Sequence, residues 1–179
     1  MNRLLVAVLV LTLALIPSPA QAQRFSVSYA GQISVHTVFT PNLAVLPHFG
    51  AFIAGDLEFA PFNVGVRVVG SSLLFLIWSI GADAYVGYTL ETGLNVYVGA
   101  GARAWFVLLP IAPSESLASN TLHGLIGVRF PSGLYVELTP GATSRLACTV
   151  QPPPNGGCAE YETVWMPSIG VSFGLRLRL

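Results

Sequence analysis

Residues 165–179 read WMPSIGVSFGLRLRL, and from Ile169 to Leu179 an apolar side chain stands at every second position. The positions between them carry glycine, serine or arginine. A period of two is that of a β-strand whose two faces meet different surroundings. The stretch therefore predicts a strand with one apolar and one polar face.

Seven earlier runs alternate in the same way. They cover residues 25–39, 49–60, 64–68, 80–90, 94–103, 121–130 and 134–139. In the first run, for example, Phe25, Val27 and Tyr29 share one parity, whereas Ser26 and Ser28 share the other. With the last run they predict eight strands.

The connections between the runs alternate in length. Short turns are predicted at 60–63, 91–93 and 131–133, and long connections at 40–48, 71–79, 107–120 and 140–160. An up-and-down barrel with both termini in the periplasm has this arrangement, with short turns inside and long loops outside. Closure into a barrel also removes the strand edges that lipid could not satisfy.

The composition fits a membrane protein better than a soluble one. The chain is 53% hydrophobic and 9% charged, without any lysine, whereas soluble domains are about 25% charged. Its formal net charge is zero and it has no basic run. Nucleic acid is therefore not an expected partner.

The first residues predict export. Arg3 precedes an unbroken apolar run from Leu4 to Ile16, Pro17 ends the run, and Ala20-Gln21-Ala22 has the small-x-small pattern of a cleavage site. We predict a signal peptide at residues 1–22 and a barrel domain at 23–179. The alternative, an uncleaved membrane anchor, would need about 20 apolar residues.

Side-chain size and charge indicate which face is inside. The polar parity carries mostly small residues with a few charges, which suits a narrow lumen. A face in water would carry far more charge. Aromatic residues near strand ends on the apolar parity suit interfacial girdles: Phe39, Phe59, Tyr88, Phe106 and Phe130. Two alternatives stay open, a soluble lipocalin-like barrel and a helical membrane protein that uses the uncharged stretch 68–82.

In this pattern the chain resembles the small OmpA- and OmpX-type outer-membrane barrels over nearly all of the predicted mature length. The ending VSFGLRLRL, residues 171–179, is similar to the C-terminal strand by which the assembly machinery recognises such proteins, although those usually end in Phe or Trp rather than Leu179. The resemblance implies an all-β, eight-stranded antiparallel up-and-down transmembrane barrel in the outer membrane. Its expected partners are outer-membrane lipids and, during biogenesis, the assembly machinery.

Nine charged residues are predicted to point into the lumen. Counting from the turns places seven of them in the periplasmic half: Asp56, Glu58, Arg67, Arg129, Glu137, Arg176 and Arg178. Asp83 and Arg103 are expected to lie together nearer the outer half. Buried charges are costly unless paired. We therefore expect a salt-bridged plug, with a narrow channel or transporter for small solutes as the alternative.

The sequence favours a protein that is not an enzyme. His36 and His123 fall on the inward parity and His48 in the first predicted loop, with Ser71 and Ser72 near the second. No His-x-Ser pair accompanies them, although a lipid-A-modifying barrel enzyme is not excluded. No phosphate loop, metal cluster or cofactor motif is present, so no metal and no cofactor are expected.

The predicted loops supply the remaining features. Cys148 and Cys158 enclose TVQPPPNGG in the longest loop, where a disulfide is expected. Residues 71–79 and 107–120 are unusually apolar. This favours a position in the outer-leaflet interface, an extension of the hairpins, or binding of a partner or extracellular ligand. The sequence thus predicts a structural, envelope-organising barrel, with loop-mediated adhesion as a further alternative.

Overall fold

Eight antiparallel β-strands contain most of the residues that the computed structural model describes, which are 24–39, 44–73, 77–107, 119–148 and 161–179. The strands are β1 (Arg24–Val38), β2 (Ala44–Phe59), β3 (Phe62–Leu73), β4 (Ile77–Thr89), β5 (Asn95–Val107), β6 (Ser119–Arg129), β7 (Leu134–Cys148) and β8 (Tyr161–Arg178). The predicted signal peptide lies outside the described residues and stays a prediction.

Each strand pairs with its neighbours in the chain, and β1 closes the barrel against β8. The closing register runs from Ser28 opposite Arg178 to Val38 opposite Ser168. Every strand therefore has a hydrogen-bonded partner on both sides, as lipid requires. The predicted eight-stranded up-and-down barrel is confirmed.

The two faces of the wall have opposite character. Ile53 and Val66, which point outward, are 65% and 62% exposed, whereas Arg67 next in the chain is 3% exposed. The outer surface is a band of such aliphatic and aromatic side chains, and the lumen holds the polar and charged ones. Contact of that band with water would be unfavourable. The lipocalin-like alternative, with the apolar face inside, is wrong.

The helical alternative is wrong as well, because residues 68–73 belong to β3 and residues 77–82 belong to β4. Among the described residues we find no helix with both the length and the apolar character needed to cross a membrane.

Three short turns join strands at one end of the barrel, as predicted. They lie between β2 and β3, β4 and β5, and β6 and β7. Gly93 and Gly133 have φ of 80° and 87°, a backbone conformation that glycine adopts at little cost. Their N–H groups donate to the carbonyls of Leu90 and Phe130 at 2.8 and 2.9 Å. We call this end of the barrel, with the start of β1 and the end of β8, the short-turn end.

At the opposite end the strands extend beyond the predicted limits. Residues 44–48, 71–73, 77–79, 107, 119–120 and 140–148 belong to strands and not to loops, so these predicted bounds are wrong. Pro47 and Pro140 lie within β2 and β7. Proline has no N–H to donate to a neighbouring strand. A sequence segment that contains proline is therefore easily predicted to be a loop.

The connections at this end of the barrel, 40–43, 74–76, 108–118 and 149–160, lie outside the described residues. The predicted interfacial position of residues 107–120 therefore stays a prediction. Cys148 is the last residue of β7, but Cys158 lies outside the described residues. The disulfide between them also stays a prediction.

Candidate functional site in the barrel lumen

Glycine and tyrosine pairs give the lumen room for large polar rings. Tyr97 lies directly opposite Gly127 on the neighbouring strand, and its ring occupies the space that a Cβ of Gly127 would need. The same pairing joins Tyr85 to Gly65 and Tyr135 to Gly174. These rings can therefore lie across the adjacent strand and aim their hydroxyl groups toward the middle of the barrel.

An ionic cluster fills the middle of the lumen around Arg67. The guanidinium donates from Nε to Asp83 at 2.7 Å, from Nη2 to Glu137 at 2.9 Å, and from Nη1 to the other oxygen of Glu137. Tyr97 donates to Glu137 at 2.6 Å, and His123 Nε2 lies 2.9 Å from Asp83. Paired arginine and carboxylate groups of this kind are strong and geometrically specific.

Aromatic side chains pack against the same cluster. The Arg67 guanidinium lies over the ring of Phe52, 4.7 Å from its centroid. Phe52 in turn contacts the ring of Tyr135, whose hydroxyl donates to Gln32 at 3.1 Å. Cations stack favourably on aromatic faces. The cluster is thus held by rings as well as by charges.

A second charged group lies toward the short-turn end. Arg176 pairs with Asp56 and donates to Ser28 at 2.6 Å and to the Tyr85 hydroxyl at 3.1 Å. Arg178 pairs with Glu58 at the exposed mouth. The lumen is therefore occupied by ion pairs over at least half of its length.

The predicted separation of Asp83 from Arg67 is wrong. The two residues are directly opposite each other in the β3–β4 pairing, which continues to Leu73 opposite Ile77. A long loop at 71–79 was predicted from the sequence, and such a loop leaves the register of β3 against β4 open. With the hairpin closed at 73 and 77, Asp83 is placed beside Arg67.

Arg103 lies two residues along β5 from Gly101, the residue opposite Asp83, but makes no ion pair with that carboxylate. It is 7% exposed, makes no ion pair among the described residues, and has no hydrogen-bond partner for Nε or Nη2. Its stem lies against Gly81 of β4. Arg103 therefore adds a buried positive charge near Asp83 without bonding to it.

A ring cluster that the sequence pattern does not predict occupies the other half of the lumen. Trp105 lies 4.8 Å from His48 and 5.6 Å from His36 between ring centroids. Its indole donates to Thr121 at 2.9 Å. His48 was assigned to a loop because the start of β2 was placed too late, although its alternation with Gly50 and Phe52 could have shown the inward parity.

This ring cluster shows no catalytic arrangement of the familiar kind. Ser71 and Ser79 bond to each other at 2.7 Å, and neither nitrogen of His48 has a hydrogen-bond partner. In a serine hydrolase the serine hydroxyl hydrogen-bonds to a histidine, which in turn hydrogen-bonds to a carboxylate. Within the described ranges no group of three or more His, Cys, Asp or Glu residues is placed to hold a metal ion.

The short-turn end opens into a cavity of about 540 Å³. Its rim includes Pro61, Phe62 and Phe130, and Arg129, the last of the nine predicted lumen charges, lines it as well. Arg129 makes no ion pair among the described residues. Within the described part of the chain, the cavity is therefore bounded by the unpaired cation Arg129 and by the Arg176–Asp56 pair.

The fold is similar to solved structures, although the sequence has no match. No family model matches the sequence, and no curated protein matches it. The structure of Neisserial surface protein A is similar, with a TM-score of 0.51 and 16% identity, over 89% of this chain and 100% of that one. The fold is that of the small outer-membrane β-barrels. Together with the apolar outer band and the closed sheet, it makes the chain an integral outer-membrane β-barrel protein.

Two further solved structures are similar at lower scores. The N-terminal barrel domain of Pseudomonas aeruginosa OprF has a TM-score of 0.41 and 14% identity, over 86% of this chain and 100% of that one. Ail, the attachment invasion locus protein of Yersinia pestis, has a TM-score of 0.41 and 14% identity, over 86% and 97%.

Proposed function

We propose that this barrel has a structural, envelope-organising role and that its lumen does not conduct. The observation that supports the proposal is the cluster of Arg67, Asp83 and Glu137, which is buried at mid-lumen and surrounded by Phe52 and Tyr97. Eight strands leave just enough room for side chains to fill the interior. A solute would have to separate these ion pairs in order to pass.

The proposal includes an orientation and partners. Short turns of outer-membrane barrels face the periplasm, so we assign the short-turn end to that side and the opposite end to the exterior. The lipids of the outer membrane would then cover the apolar band, and the barrel-assembly machinery would insert the chain. Binding of an extracellular ligand would depend on the connections between strands at the end opposite the short turns, which lie outside the described residues.

Conductance tests whether the lumen is closed. In planar bilayers the folded protein should give no stable channels. The triple variant Arg67→Ser, Asp83→Ser and Glu137→Ser should give small, reproducible current steps. It removes the mid-lumen ion pairs, and the small serine side chains keep the lumen polar. The control is Arg178→Ser with Glu58→Ser, which alters only the exposed pair at the mouth and should stay silent. Stable channels from the unaltered protein would show that the lumen conducts.

Deletion of the gene in its own host tests the structural role. We expect greater sensitivity to detergents and to large antibiotics, and expect the unaltered gene to restore resistance. Uptake of small solutes should be unchanged, because the lumen is closed. A strain with normal detergent resistance but reduced uptake of one solute class would favour the narrow channel or transporter instead.

A further inference from the structure

The cavity at the short-turn end has the size and lining of a ligand pocket. Its volume of about 540 Å³ lies in the range typical of small-molecule sites, roughly 300–1,000 Å³. Apolar and turn residues form the rim, among them Phe62, Phe130 and Pro131. Deeper in the cavity the lining is polar and includes Asn63, Asn95 and Arg129.

The charges of the lining do not balance. The lining residues include three arginines and two carboxylates, and the two carboxylates are already paired. Asp56 pairs with Arg176, and Glu58 pairs with Arg178. Arg129 is left without an ion pair among the described residues. A half-buried guanidinium without a counterion provides a favourable position for one anionic group.

The neighbours of Arg129 across the sheet do not compensate its charge. Asn95 lies directly opposite Arg129 in the β5–β6 pairing, and Tyr135 lies opposite it in the β6–β7 pairing. Asn95 is 3% exposed and donates to Asn63 and Thr89 at 2.7 and 2.9 Å, while its Oδ1 is enclosed beside Gly87. Both neighbours are neutral, so the charge of Arg129 faces the cavity without a counterion from either adjacent strand.

From these observations we propose that the cavity binds a carboxylate presented from the periplasmic side, with Arg129 as the counterion. A peptide C-terminus and a small organic acid both supply a carboxylate, and the probes below distinguish these two sources. The periplasmic side rests on the orientation proposed above, whereas the site itself depends neither on whether the lumen conducts nor on the structural role.

Calorimetric titration of the folded full chain in a non-ionic detergent tests the site. The probes are N-acetyl-Ala-Ala, its C-terminal amide, and acetate. Hydrogen bonds to charged groups are worth more than neutral ones, so we expect the amide to bind about 10-fold more weakly than the free acid, or worse. Acetate binding as tightly as the peptide would also support a carboxylate site and would identify small acids as its ligands.

Substitution of Arg129 provides the second arm. Arg129→Gln should weaken binding of N-acetyl-Ala-Ala by about 10-fold or more. The matched control is Arg24→Gln, which removes an exposed arginine outside the cavity at the same end of the barrel and should leave binding unchanged. Three results would each overturn the proposal: equal affinity for the acid and the amide, equal weakening of binding by both substitutions, or no binding of the acid at millimolar concentration. The comparison of acid with amide uses only the unaltered protein, so it tests the site even if Arg129→Gln fails to fold.

Discussion

Replacement of Arg67 by methionine should lower the free energy of unfolding by about 3–5 kcal/mol, since removing one member of a buried ionic group leaves its partners uncompensated. Two carboxylates, Asp83 and Glu137, would lose their shared counterion in a site where all three side chains are buried. Methionine keeps much of the apolar stem that packs on Phe52. The loss therefore reports mainly on the charge.

Urea titration of the refolded barrel in micelles, followed by the shift between folded and unfolded bands on unheated gels, measures this loss. Arg24→Met is the matched control, because Arg24 is exposed and should change stability by no more than about 0.5 kcal/mol. Adding Asp83→Asn and Glu137→Gln to Arg67→Met should recover part of the stability, because no uncompensated carboxylate then remains. A loss below about 1 kcal/mol for Arg67→Met would mean that the cluster is hydrated or rearranges freely.

The eight strands and the two faces of the wall were predictable because lipid and lumen impose opposite requirements on alternate residues. Phe25, Tyr29 and Ile33 point outward, and Ser28 and Gln32 point inward, as their parity indicates. The short turns were predictable for a local reason. Gly93 and Gly133 stand where the backbone enters the left-handed region, and glycine is the residue that does so most readily.

The far ends of the strands were not predictable from alternation. Residues 70–72 read Gly-Ser-Ser, a composition typical of loops, yet all three belong to β3, and Ser71 is buried on the lumen side. Small hydroxyl residues suit a crowded lumen as well as they suit a turn. The sequence therefore cannot show where the strand stops when its inward residues are small.

The partners within the lumen depend on register, which the sequence leaves open once hairpin lengths are uncertain. Asp83 meets Arg67 only because the β3–β4 hairpin is short. Phe52, Val69 and Leu125 also point inward and are almost fully buried. Mostly small residues with a few charges were expected on this face, but aromatic and aliphatic side chains also lie among the ion pairs.

Replacement of Val66 by arginine should lower the free energy of unfolding from a lipid bilayer by about 2–4 kcal/mol. Replacement of Val96 by arginine should lower it by only about 0–1 kcal/mol. Both valines point outward. Val66 pairs with Ala84, which pairs with Ala100, the sixth residue of β5, whereas Val96 is the second residue of that strand. Val66 therefore lies nearer the middle of the bilayer, and Val96 lies near the short-turn interface where an arginine can reach water.

The depth dependence, more than either value alone, separates a lipid-facing wall from a water-facing one. On a wall in water both substitutions would change stability by no more than about 0.5 kcal/mol, and a soluble barrel would even benefit from added charge on so apolar a surface. Urea unfolding from vesicles, with the unaltered chain measured alongside, gives both costs under one condition. Equal costs at the two positions would contradict a membrane-spanning wall. A larger cost at Val96 would instead place the middle of the bilayer nearer the short-turn end, and would put Arg178 and Glu58 at lipid depth rather than at an aqueous mouth.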